Sequence, residues 1–272
     1  MRPGPDGHTG AGMSTMGARS VSVLESFGDF FAFVGAVVRK LPRRPLNTAE
    51  ATRQAWIIMR VIIVPTGLVS IPLGAVVALQ IGSLTQQLGA QSFAGAASVV
   101  AIVREGAPLA TSLLLAGASG SAICADFGAR VIREEVDALR VLGIDVEHRL
   151  IVPRVVAAIF VGGVVTGLVM GVGIAGGYVF NVVLQGGTSG VYVQSFSSLA
   201  AVADVSVSLL KGMVFGGIAA VVGAFKGLHV KGGPKGVGQA VNESVVLTFL
   251  FLFTLNYLIT TVYFQVVPQG AR

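Results

Sequence analysis

Long apolar runs separated by short charged stretches dominate this chain. Crossing a bilayer takes about 20 mainly apolar residues, and five stretches qualify: 56–79, 107–125, 150–180, 205–225 and 244–266. Pro65 and Pro72 predict kinks in the first, and the third is long enough to tilt. Ahead of them, residues 21–44 carry Phe27, Phe30, Phe31 and Phe33 with Glu25 and Asp29, and end in Arg39, Lys40, Arg43 and Arg44. Two acids and a basic end predict an amphipathic helix lying in the membrane interface. Residues 1–20 are rich in Gly, Ser and Met and lack a signal-peptide core, so they read as a disordered tail, with Met13 or Met16 as alternative starts. The expected fold is an all-α integral membrane protein: a tail (1–20), then one domain (21–272) with an interfacial helix and five spans.

Ten of the chain's 32 formal charges fall between Asp126 and Arg149, in the connection between spans two and three. Its middle predicts an amphipathic helix over 128–142. Ile132, Val136, Leu139 and Gly143 recur on one helical face. Arg130, Arg133, Glu134 and Asp137 occupy the other, with Arg130/Glu134 and Arg133/Asp137 opposite in sign and four apart. A mere connection could be shorter and blander, so this helix offers a surface to a soluble partner.

Lys and Arg set the orientation. Arg39, Lys40, Arg43, Arg44 and Arg53 precede span one; Arg130, Arg133, Arg140 and Arg149 follow span two; Lys226, Lys231 and Lys235 follow span four. The connections 80–103 and 181–204 contain neither residue. The positive-inside rule places the N-terminus and both basic loops in the cytoplasm, and five spans then put residues 268–272 outside.

Composition agrees. The chain is 53% hydrophobic and 12% charged, against about 25% charged in soluble domains. Its net charge of +6 lies at the cytoplasmic membrane face, without the aromatic-interleaved basic patch of a nucleic-acid binder. Cys124 is the only cysteine, which rules out an internal disulfide.

Candidate chemistry is sparse. Gly171-Val-Gly173-Ile-Ala-Gly176 has the letters of a dinucleotide fingerprint but sits inside a span with no strand before it. Gly163/Gly167/Gly171, Gly173/Gly177, Gly212/Gly216 and Gly223/Gly227 are spaced as small-residue stripes for helix packing. Gly117-Ala-Ser119-Gly120 is similar to the motif of intramembrane serine proteases, yet His8, His148 and His229 all lie outside the spans, leaving Ser119 without a base. No metal-ligand spacing occurs, and the Gly/Lys-rich loop 226–235 lacks the order needed to cradle phosphate. Charges at membrane depth are costly and default to functional suspects: Arg104 and Glu105 at the outer entry of span two, and Lys211 near the start of span four with Asp204. The plainer expectation is that Arg104 and Lys211 snorkel outward while Glu105 and Asp204 pair with them.

AGASGSA (116–122), REEVDALRVLGID (133–145), VPRVVA (152–157), GGY (176–178), LLKGMVFG (209–216) and FKGLHVKGGPKGVGQA (225–240) together resemble the permease family of MlaE and YrbE, the membrane subunits of ABC-type lipid transporters. The wording around AICADFGARVIREEVDAL is most similar to the A-type YrbE subunits of actinobacterial Mce operons. One departure is Ala118, where MlaE proteins commonly carry arginine.

That resemblance implies an inner-membrane permease without its own ATPase site, ATP and Mg being bound by a cytoplasmic ABC ATPase pair. Arg133, Glu134, Glu135, Asp137, Ala138, Leu139 and Arg140 would form the coupling helix that docks into the ATPase. A second permease, identical or paralogous, would pack on spans one and five, and MCE-domain proteins would lie outside. Leu68, Leu73, Val77, Glu105, Tyr257 and Tyr263 would wall a lipid cavity. The expected cargo is a fatty or mycolic acid, with a sterol second and a phospholipid third, moved inward. An ion-coupled transporter and a Ser119 protease are the alternatives.

Overall fold

The computed structural model describes residues 28–42, 47–90, 93–184, 186, 189–190, 194 and 202–266, all in helices or the turns between them. The tail 1–20, residues 21–27, Arg43, Arg44 and the C-terminal 268–272 lie outside the described residues. Helix α1 covers residues 28–40. Four long apolar helices are α2 (Thr48–Gln87), α3 (Ala94–Ile132), α5 (Glu147–Val183) and α6 (Val202–Leu228). The fifth, α7, covers Gly233–Val266, and a short helix, α4 (Glu135–Val141), separates α3 from α5. All five long helices can cross a membrane.

Helix α2 starts where the Asn47 side chain accepts the Glu50 backbone N–H at 3.2 Å, satisfying one of the orphan donors of a first turn. It runs 40 residues through Pro65 and Pro72. Ile62, Thr66, Ser70, Gly74 and Ala78 are buried at four-residue intervals, a stripe laid against α5. At that crossing a Cβ on Gly74 would strike the Gly173 carbonyl. The α5–α6 crossing is equally tight: Gly212 faces the Gly162 carbonyl and Gly216 the Ala158 carbonyl. Gly223 approaches Gly120 of α3 in the same way. Small residues let backbones meet and gain dispersion contacts where lipid offers no hydrophobic drive.

The expected stripe Gly163/Gly167/Gly171 is corrected only at Gly171, since Cβ atoms on Gly163 and Gly167 would meet Met213 and Leu209 of α6 at 2.9 and 3.6 Å. Gly162, Gly173 and Gly177 are the buried glycines of α5, while a Cβ on Gly171 would meet nothing within 4 Å. The expected pairs Gly173/Gly177, Gly212/Gly216 and Gly223/Gly227 are buried as their spacing implied.

Span two also differs from expectation. It begins at Ala94 rather than Ala107, so Arg104 and Glu105 lie inside the helix and not at its entry. The charges ended the apolar run in the sequence, but in the fold they meet opposite charges on α6. Two π-helical turns, Ile102–Gly106 and Leu115–Gly120, widen α3. Such turns free backbone carbonyls for other partners and recur at functional positions.

The expected continuous helix over 128–142 is broken. α3 ends at Ile132, Glu134 takes a left-handed conformation (φ 57°, ψ 15°), and α4 starts at Glu135. Accordingly Val136 is buried, whereas Ile132 and Gly143 are exposed and Leu139 only half-buried. The expected pairs Arg130/Glu134 and Arg133/Asp137 are replaced as well: Arg130 and Arg133 both reach Glu135, at 3.4 and 2.8 Å, and Arg140 reaches Asp137 at 3.1 Å.

Helix α1 packs across the other elements. Phe30 stacks on Phe251 with centroids 5.4 Å apart and meets Phe225 edge-on at 5.2 Å. Val37 is buried with Ile123, Phe127, Ile151 and Val155.

Candidate functional site

Two polar centres stand out from the apolar body. The first surrounds α4. Glu135, at its start, binds Arg130 of α3; Arg130 binds Asp126 at 3.2 Å; Asp126 also binds Arg154 near the start of α5. The Arg154 guanidinium lies 4.3 Å over the Phe127 ring. Each exposed pair contributes little stability alone. Their arrangement matters more, because a chain of contacts joins the short helix to two spans.

The far end of α4 is tied differently. Lys40 of α1 binds Asp145 at 2.6 Å and Glu147 at 2.8 Å. Burial works against the Lys40 charge, but the two carboxylates outweigh it and its pKa is raised above 10.5. Burial likewise opposes Asp145, yet the Lys40 hydrogen bond and the His148 and Glu147 N–H groups bring its pKa below 3.8. Between α1, this loop and the end of α6 lies a crevice of about 930 Å³ lined by Asp29, Arg140, Asp145, Glu147 and His229 among others.

Of the expected coupling residues, Arg133, Glu134, Asp137, Ala138 and Arg140 are exposed, and Glu135 and Leu139 are half-buried. Sequence reasoning missed Val141 and Leu142, which are 87% and 73% exposed at the helix end. The signal was there: two apolar residues followed by a glycine, Gly143, which adopts φ 71° to end the helix.

The second centre lies within the spans. Arg104 donates to both carboxylate oxygens of Asp204, at 3.0 and 2.9 Å. Tyr263 donates to the same carboxylate at 2.6 Å. Lys211 approaches Glu105 at 3.5 Å and donates to the Thr260 hydroxyl at 2.7 Å and the Arg104 carbonyl at 3.2 Å. Glu105 accepts from Asn256 and Thr260, both at 2.9 Å. The π turn explains part of this: Ser208 takes the Val103 carbonyl and Lys211 the Arg104 carbonyl that the widened turn releases.

Two cations and two anions thus neutralise one another across α3, α6 and α7. The expected outward snorkelling is corrected: the Lys211 side chain is 4% exposed and turned inward. Desolvating isolated charges would be prohibitive, so pairing with satisfied hydrogen bonds is what permits burial.

The expected cavity residues scatter. Leu68 and Tyr257 are each 68% exposed. Leu73 turns toward Gly106 and the apolar core, Val77 is half-buried, and Tyr263 and Glu105 belong to the charge network. Ser119 is buried, and among the described residues nothing hydrogen-bonds its Oγ.

The family model described as Permease MlaE matches residues 51–262. A probable ABC transporter permease protein of Rickettsia bellii is 30% identical over 253 residues, covering 93% of this chain and 98% of its own. Its Synechocystis counterpart is 34% identical over 192 residues, covering 71% and 73%. The chloroplastic protein trigalactosyldiacylglycerol 1 of Arabidopsis thaliana is 31% identical over 179 residues, covering 66% of this chain and 51% of its own.

Proposed function

The chain belongs to the MlaE permease family of ABC transporters, and on that premise we propose that it is the membrane subunit through which a separate ATPase moves lipid. The carrying observation is α4: a short helix released from α3 by the left-handed Glu134, exposing Val141 and Leu142 outward and holding Arg130 through Glu135. A cytoplasmic ATPase pair, carrying the ATP and Mg, docks on this end. Its motion passes through Arg130, Asp126 and Arg154 into α3 and α5. In this reading the basic loops and N-terminus face the cytoplasm and the C-terminus faces outward.

A second permease packs on the outer part of α2, from about Leu68 onward, and on α7. Only 28% of the apolar stretch of α2 and 17% of that of α7 is buried, against 56% for α3. Leu68 and Tyr257, on those open faces, wall a cavity between the two copies. The lipid assignment draws on the chloroplast relative, whose name refers to a galactolipid. Resemblance to the YrbE subunits of Mce systems favours MCE-domain partners outside, a fatty or mycolic acid as cargo, and inward movement. An ion-coupled transporter is disfavoured because Glu105 and Asp204 are already neutralised by Lys211 and Arg104.

Exchange of Glu135 and Asp137 for lysine tests the docking assignment. Loss of ATPase co-purification from membranes that still contain the permease supports it. An unchanged complex with undiminished lipid transfer refutes it.

A further inference from the structure

Helix α2 carries an arginine that neither polar centre uses. Arg60 lies 12 positions beyond Thr48, hence about 18 Å along the helix axis. It is exposed, and among the described residues it makes no ion pair. Around it the surface is apolar: Ile57, Val61 and Val64 are 46%, 60% and 64% exposed. Trp56 sits one turn below, 65% exposed, and Arg53 one turn below that, its side chain 73% exposed and only 3.8 Å from Glu50. Positions 53, 56 and 60 share one helix face.

An unpaired guanidinium beside hydrocarbon needs an anion. Among the described residues, the carboxylates on the long helices of a second copy are already engaged. Glu105 and Asp204 are held by Lys211 and Arg104, and Glu243 is held by Lys226 at 2.8 Å. A two-fold contact centred on this residue would bring two Arg60 side chains together. Lipid phosphate is available at the depth an arginine reaches by snorkelling, and Trp56 marks that interface.

We propose that Arg53, Trp56 and Arg60 form a binding site for the headgroup of an anionic phospholipid. Its leaflet, the cytoplasmic one, follows from the orientation proposed above; the site itself does not depend on transport. One lipid bridges the two arginines by its phosphate while its chains lie along Ile57 and Val61.

Trp56 is the chain's only tryptophan, so it reports its own lipid neighbours. The full-length protein is reconstituted into phosphatidylcholine vesicles containing equal mole fractions of brominated phosphatidylglycerol or brominated phosphatidylcholine, and Trp56 fluorescence is read. The anionic lipid should quench more strongly, with a local enrichment of about fivefold per arginine. Arg60→Gln should remove about fivefold of that preference and Arg53→Gln with Arg60→Gln nearly all of it, while Arg60→Lys keeps most. Inorganic phosphate in excess should leave the quenching unchanged. Equal quenching by both lipids, or displacement by free phosphate, overturns the proposal. So does weak quenching by either lipid, the result if a second copy covers this face. None of these readouts requires an ATPase, so they fail or succeed independently of the permease assignment.

Discussion

Arg104 grips Asp204 through Nε and Nη2 at 3.0 and 2.9 Å, joining helices α3 and α6 across 100 residues of chain. With the Asp204 side chain 2% exposed, the pair lies in a low-dielectric setting where removing one partner strands the other. Asp204→Ala is therefore expected to lower stability by about 3–5 kcal/mol. Replacing both, Arg104→Met with Asp204→Leu, should recover most of that loss. Tyr263→Phe should cost about 1 kcal/mol. Thermal melting of the detergent-solubilised protein distinguishes the three.

Helix crossings at glycine give a second expectation. Gly74→Leu would drive a side chain into the Gly173 backbone, whereas Gly171→Leu enters open space. The first should destabilise by at least about 1–3 kcal/mol, the second by no more than about 0.5 kcal/mol. The same melts check both.

The break before α4 is testable at one residue. A left-handed conformation at Glu134 strains any L side chain, so Glu134→Gly should leave stability unchanged or raise it by up to about 1 kcal/mol. Were 128–142 one helix, the same glycine would cost about 1 kcal/mol.

The α1 tether should be insensitive to ordinary pH. Asp145 has its pKa lowered in the folded state, so its contribution is present above 3.8 and fades as pH falls through the lowered value. Lys40 has its pKa raised, so its contribution is fully present below 10.5 and is lost as pH climbs through the raised value. The stability difference between wild type and Lys40→Met should hold constant from about pH 5 to 9 and shrink below about pH 4. Melting curves across that range decide it.

These cases show what the sequence made legible. Run length found all five spans, because apolar length is a local property. Extent was harder: the adjacent Arg104 and Glu105 looked like a boundary, and only Asp204 and Lys211, about 100 residues away, make them interior. The charged stretch 126–149 was visible as a cluster, but the break at Glu134 was not. Nothing in Arg133-Glu134 announces a positive φ, and i,i+4 complementarity favoured a continuous helix that the chain does not form. Glycine spacing found the close crossings at Gly212, Gly216 and Gly223 but carried the α5 stripe one turn too far, to Gly171. Val141 and Leu142 were readable as an apolar pair in a charged loop and were passed over.

Lipid transfer driven by ATP across proteoliposomes, with the partner ATPase present, probes the lever most directly. Leu142→Asp with Val141→Asp alters only the exposed end of α4, so the permease should fold and insert normally. The expected result is intact protein in which lipid transfer and lipid-stimulated ATP hydrolysis both fall at least tenfold. Transfer at the wild-type rate, with that apolar end converted to carboxylates, would contradict the account.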